Sequence, residues 1–242
     1  MRRCGETSGR IRRFPVWLMP RRWRQAWIAW LAVAWFILAG WLSVEVAGPG
    51  TVRWDRPVQR ILEAPDGPVW SAIATAGNAI GITLVGVGIL LVASALLFIR
   101  RHDREVVLLA AVGLVRTLNT PAKLLFDSPR PPTNPAGTND VAGGLGFPSG
   151  HAMGTILIGG ALVVVVVRLT RCSWCRWTAL TIVTMAVIAC GFGRIASGAH
   201  WPSDVLGGWL LGVGLLGVVT LLVGVAERLR ALRRVQRFGT ET

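Results

Sequence analysis

The chain has no tyrosine, a single lysine, four cysteines and only 12 acidic residues in 242. Each scarcity excludes something. Charged residues make up 16% of the sequence against 52% hydrophobic, which rules out both a disordered chain and an ordinary soluble domain. Cys4, Cys172, Cys175 and Cys190 are too few for a disulfide framework. Cys172 and Cys175 stand in a C-x-x-C spacing that redox and metal sites use, but no second Cys/His pair lies nearby. Two thiols in a short loop is the simpler reading. With tyrosine missing, the 12 tryptophans are left to anchor the chain at a membrane boundary.

What the chain does have is long apolar runs and a mean hydropathy of +0.54. Six runs approach the length of about 20 residues that crosses a ~30 Å hydrocarbon core. They cover Ala26 to Ala47, Ile80 to Ile99, Glu105 to Phe126, His151 to Val167, Trp177 to Ile195 and Asp204 to Ala226. The first is too long for a signal-peptide core and is read as a retained span. The expected fold is therefore all-α: a polytopic membrane protein with a bundle of six transmembrane helices at 26–226. Basic tails flank it at 1–25 and 227–242. Between the first two spans, Val58, Ile61, Leu62, Val69, Trp70 and Ile73 recur at roughly helical intervals. That segment reads either as an amphipathic helix lying on the membrane or as a loop packing its apolar side on the bundle. The stretch from Asp127 to Gly146 is rich in Pro, Gly, Asn and Asp and is expected to be irregular.

The net charge of +14 sorts by side. Arginines crowd the N-terminal tail, the turns near residues 100–104 and 168–176, and the C-terminal tail. The alternate connections hold far fewer: Arg53, Arg56, Arg60, Lys123, Arg130 and Arg194. Basic connections stay cytoplasmic, so both termini are expected on the cytoplasmic side of a bacterial cell membrane, with the 48–79, 127–150 and 194–203 connections and the active site on the outward side. The tails can bind anionic headgroups. No motif accompanies them that would point to nucleic acid.

Ionisable groups inside a membrane are costly and generally functional. Here they gather at the outward helix ends. Lys123, the only lysine, and Arg130 close the third span before Pro131, with Arg116 and Asn119 on the same face. A lone lysine among arginines at this position fits a need for a compact ammonium. Pro148-Ser149-Gly150-His151 opens the fourth span; Ser149 suits an N-cap, Gly150 permits close approach of a ligand, and the helix start favours an anion. Arg194 precedes His200, and Asp204 follows it by four residues, placed to orient the imidazole. His102 sits in a cytoplasmic turn. Three cations and backbone donors match a phosphoryl group, and two histidines suit nucleophile and general acid. One carboxylate and two histidines flanked by arginines make a poor divalent-metal site, and no cofactor is called for.

These residues resemble the three-part signature of the type 2 phosphatidic acid phosphatase family, the lipid phosphate phosphatases. Lys-x6-Arg-Pro is met by Lys123, Arg130 and Pro131, and Pro-Ser-Gly-His by Pro148 to His151. Ser-Arg-x5-His-x3-Asp is met by Arg194, His200 and Asp204, with Gly193 standing where the family carries serine. That exchange removes a hydroxyl from the neighbourhood of the phosphate. The resemblance implies metal-independent hydrolysis of phosphatidic acid, phosphatidylglycerol phosphate or undecaprenyl pyrophosphate. His200 would form a phosphohistidine, Asp204 orient it, and His151 act as acid and then base. Lys123, Arg130, Arg194 and the region of Ser149 and Gly150 would bind the phosphate. A phosphotransferase of the same family, passing the group to a lipid or sugar, is the second reading. A lipid or anion transporter is the third; it leaves the His200–Asp204 pair without a purpose.

Overall fold

The computed structural model describes residues 21–47, 51–63, 67–126, 128–132 and 145–239. The first 20 residues and most of the expected irregular stretch after Phe126 lie outside the described residues, so these two expectations are not tested. Among the described residues the architecture is entirely helical, apart from an isolated antiparallel bridge between Pro129 and Leu145. The helices are α1 (Arg21–Val46), α2 (Asp55–Glu63), α3 (Pro68–Gly81), α4 (Thr83–Ile99), α5 (Asp103–Arg116), α6 (Asn119–Phe126), α7 (Gly150–Leu169), α8 (Ser173–Ala196) and α9 (Pro202–Gly239).

Sequence chemistry sets the breaks. Pro68 opens α3, where a missing N–H costs nothing, and Ile82 in an extended conformation separates α3 from α4. The axis bends there by 56°. A turn at Thr117–Leu118 divides α5 from α6, and Pro121 falls within the first turn of α6. Cys172 is the N-cap of α8: its Sγ accepts from the Cys175 backbone N at 3.4 Å. The C-x-x-C pair thus starts a helix, a more definite part than two thiols in a loop.

Five helices are long and apolar enough to cross a membrane, and the count is six when the bent α3–α4 pair is taken together as one span. The six expected runs map onto α1, α4, α5 with α6, α7, α8 and α9, and the protein is an integral membrane protein. Two boundaries differ. The third span contains the 117–118 turn, and α9 continues as helix beyond Ala226 to Gly239, so the chain at 227–239 is helical. The segment between the first two spans is neither a loop nor one surface helix. It is α2 followed by α3, and α3 lies along α8, with Trp70 against Phe192 at a ring separation of 5.6 Å.

Helix α7 sits at the centre, touching α3, α4, α5, α6, α8 and α9. Its Met153, Leu157 and Ala161 meet Leu108, Leu109 and Val112 of α5 and Val219 and Val223 of α9 in the main core. A second cluster joins Ala39, Leu42 and Val46 of α1 to Phe147 and Leu210. The outer surface is apolar; Leu84, Leu91, Leu125 and Trp174 are largely exposed, as a lipid-facing surface requires. Lipid is as apolar as leucine, so close packing has to hold such helices together, and it does so where side chains are smallest. At the crossing of α3 and α8, a Cβ on Gly77 would fall 1.9 Å from the Ala189 carbonyl oxygen, and one on Gly193 would fall 2.5 Å from that of Ala74. The two backbones touch.

Candidate active site

The chain reversal after α8 builds the first part of the site. The Arg194 carbonyl accepts from the backbone N of Ala199 at 3.1 Å and of His200 at 3.2 Å, and Gly198 takes φ 63 to close the turn. His200 is thereby folded back beneath α8 and is 1% exposed. Pro202 then starts α9 and puts the fully buried Asp204 in its first turn. One carboxylate oxygen of Asp204 lies 3.3 Å from His200 Nδ1 and accepts from the Trp201 backbone N at 2.9 Å. A neutral imidazole bonded in this way carries its proton on Nδ1 and keeps the Nε2 lone pair for chemistry.

The second part comes from the chain on either side of the undescribed stretch. The 128–130 and 145–147 segments pair through the Pro129–Leu145 bridge and a bond from Gly146 N to the Ser128 carbonyl at 2.6 Å. The Leu145 carbonyl accepts from Lys123 Nζ at 3.0 Å and Arg130 Nε at 3.3 Å, which fixes both cations on one backbone oxygen. Trp201 Nε1 donates to the Pro129 carbonyl at 3.1 Å, tying this clamp to the His200 loop. Phe147, wholly buried, meets Phe126 edge to face at 5.2 Å.

The third part is the start of α7. Ser149 N donates to the Asp204 carbonyl at 3.0 Å, so α7 and α9 begin side by side. Ser149 holds the N-cap position, but its hydroxyl makes no capping bond, and Oγ is buried with no partner. At Gly150 the room a Cβ would need is taken by the Asn119 amide at 2.6 Å, and Asn119 Nδ2 donates to the Pro148 carbonyl at 3.2 Å. His151 lies against Gly81 of α3, whose Cβ position is 2.5 Å from the ring's Cδ2.

The sequence-predicted residues therefore converge. Burial holds His200 well below the ordinary imidazole range, and the charges of Arg194, Arg130, Lys123 and His151 all press in the same direction. All four groups thus bear on one ring. Among the described residues, no three His, Cys, Asp or Glu side chains gather as a metal-ligand set.

Two contributors escape a reading of the sequence. Asn78 of α3 accepts from an Arg194 guanidinium nitrogen at 3.5 Å. Asp55 of α2, completely buried, accepts from Ser203 N at 2.8 Å and from Ser203 Oγ at 2.7 Å, and a further bond runs from Val52 N at 2.7 Å. It thereby caps the first turn of α9 next to the His200–Asp204 pair. The only signals were a lone amide in an apolar helix and an aspartate at a helix start. The structure also explains Gly193: α3 occupies the space that a side chain there would need, with Asn78 N 3.0 Å from the Cβ position.

Fold and site together define a polytopic membrane protein with a buried imidazole–carboxylate pair set among cations. The PAP2 superfamily model matches residues 104–228, more than half of the chain, and the protein belongs to that superfamily. A transmembrane PAP2-type phosphatidylglycerolphosphate phosphatase from Bacillus subtilis shares the fold at 22% identity and a TM-score of 0.71, covering 81% of this chain and 96% of that one. LpxE from Aquifex aeolicus is similar at 22% identity and a TM-score of 0.50, over 69% of this chain and 94% of its own. No curated protein matches the chain.

Proposed function

We propose that this protein hydrolyses a lipid phosphate or pyrophosphate without a metal ion, through a phosphohistidine on His200. The observation that carries the reading is a buried His200–Asp204 pair on which three cations converge. In the first step His200 Nε2 attacks phosphorus, forming a P–N bond as the P–O bond to the lipid breaks, and His151 gives its proton to the departing oxygen. In the second, His151 takes a proton from water, whose oxygen attacks phosphorus and expels the imidazole. Asp204 keeps the Nδ1 proton in place and offsets the positive charge that develops on the ring. Lys123, Arg130 and Arg194 neutralise the equatorial oxygens, and the partnerless Ser149 hydroxyl and the α7 N-terminus add donors. The site faces outward, with both termini cytoplasmic, as the arginine distribution implies. Candidate substrates are phosphatidic acid, phosphatidylglycerol phosphate and polyprenyl pyrophosphate. The fold shared with a phosphatidylglycerolphosphate phosphatase is in keeping with that class.

The test is phosphate release by purified protein from a panel of these lipids. His200→Ala is expected to lower turnover by at least about a thousandfold, the range lost when a covalent nucleophile is removed. Excess chelator is expected to leave the rate unchanged. A His200→Ala variant that still releases phosphate at near the native rate overturns the reading.

A further inference from the structure

A cation that the chemistry above does not use lies in the membrane-spanning part of the bundle. Arg116 ends α5, and its Nη2 donates to Thr83 Oγ1 of α4 at 3.1 Å. Its Nε is buried with no acceptor. The guanidinium is pressed onto α7 at Gly154, where a Cβ would come within 2.7 Å of Nε, so only glycine lets it seat there. An arginine in hydrocarbon is expensive and normally turns to water or to a carboxylate. This one points inward, and no carboxylate lines its surroundings.

Those surroundings are a groove between α4, α7 and α8. Gly81, which touches His151, lines it together with Arg116, and so do Ile158, Leu162, Ile182 and Val183. Gly154 lies one turn along α7 from Gly150, a rise of about 6 Å. Ile158 and Leu162 follow on successive turns, away from the site. Along α7 the order is therefore His151 at the proposed site, Gly154 against Arg116, and then Ile158 and Leu162. A lipid whose terminal phosphate sits against His200 would have its next linkage at Arg116 and its chain in the groove.

We propose that Arg116 binds a second phosphoryl group of the substrate lipid, so that lipids with two phosphoryl groups are favoured over lipids with one. The assignment rests on the phosphatase reading above. An ester carbonyl would offer the guanidinium one neutral acceptor, whereas a phosphodiester or diphosphate offers the charge it lacks. The group can come from two sources, a phosphodiester joined through glycerol or the inner phosphate of a diphosphate, and the experiment separates them.

Full-length protein in mixed micelles is assayed for kcat/KM on phosphatidic acid, phosphatidylglycerol phosphate and a prenyl diphosphate. For the native protein, at least one two-phosphate lipid is expected to exceed phosphatidic acid by about tenfold or more, the value of a charge-assisted contact. Equal values for all three overturn the proposal without any variant. In Arg116→Gln the ratio is expected to collapse toward one, and in Arg116→Lys to be partly retained. An undiminished ratio in Arg116→Gln also overturns it. The lipid whose ratio falls identifies the source. Failure of the parent reading looks different: no phosphate is released from any of the three.

Discussion

The two ends of this bundle both carry positive charge, and they use it in opposite ways. At one end Lys123, Arg194, His200, Asp204 and Asp55 are all buried, and each is fixed by named bonds to backbone or side chain. At the other, Glu105 is buried, but the Arg104–Glu227 pair beside it at 2.7 Å leaves the two side chains 39% and 29% exposed. Charge that water can reach is screened and serves to orient and solubilise. Charge that is withdrawn from water and held in place acts at full strength on whatever enters. Net charge thus says little about where chemistry occurs; the fixing of the charge decides it.

Gly193→Ser tests that contrast most severely, because it restores the hydroxyl of the family pattern yet asks for space that the Ala74 carbonyl occupies. Displacing α3 moves Asn78 away from Arg194. The expected result is a loss of about 1–3 kcal/mol in stability, typical of overpacking, and a fall of about tenfold in kcat/KM. A gain in activity would show that a missing hydroxyl, and not the helix contact, limits this site.

The pH profile is the intermediate test. His200 is held below the 6.5 of a free imidazole, so the neutral nucleophile persists as pH falls through that value. The acid limb of kcat/KM is expected on the acidic side of 6.5, and removal of a neighbouring cation, as in Arg130→Gln, should move it upward. A limb at or above 6.5 in the native protein would mean that the ring is hydrated and unburdened by its neighbours. The smallest effect is expected at the opposite end. Glu227→Gln removes a partly exposed pair and should cost less than about 1 kcal/mol, with activity within about twofold of native. A large loss of activity there would erase the distinction between the two ends.

Most of the membrane architecture was legible because it depends on local composition: an apolar run of sufficient length has few alternatives in lipid. The same logic failed at α3. Pro68–Gly81 is at least as apolar as the spans α1 and α8, but it is too short and too close to the next run to be told from a packed surface segment. The convergent site was legible because Lys123, Arg130, His151, Arg194, His200 and Asp204 mark helix ends. Its supports were not. Asn78 and Asp55 meet their partners across 116 and 148 residues, and nothing in the local sequence specifies such pairings. Ser149 illustrates a finer limit: its position fits an N-cap, but only the structure separates a capping hydroxyl from one left over.

The contact of α3 with α8 has a mechanical consequence. Where Gly77 and Gly193 bring main chain onto main chain, no side-chain rotamer can change the spacing, so the separation of the two helices is set by backbone alone. Of the helices lining the groove beside Arg116, α4 is joined to this tightly packed pair through the extended residue Ile82, the natural place for the wall to pivot.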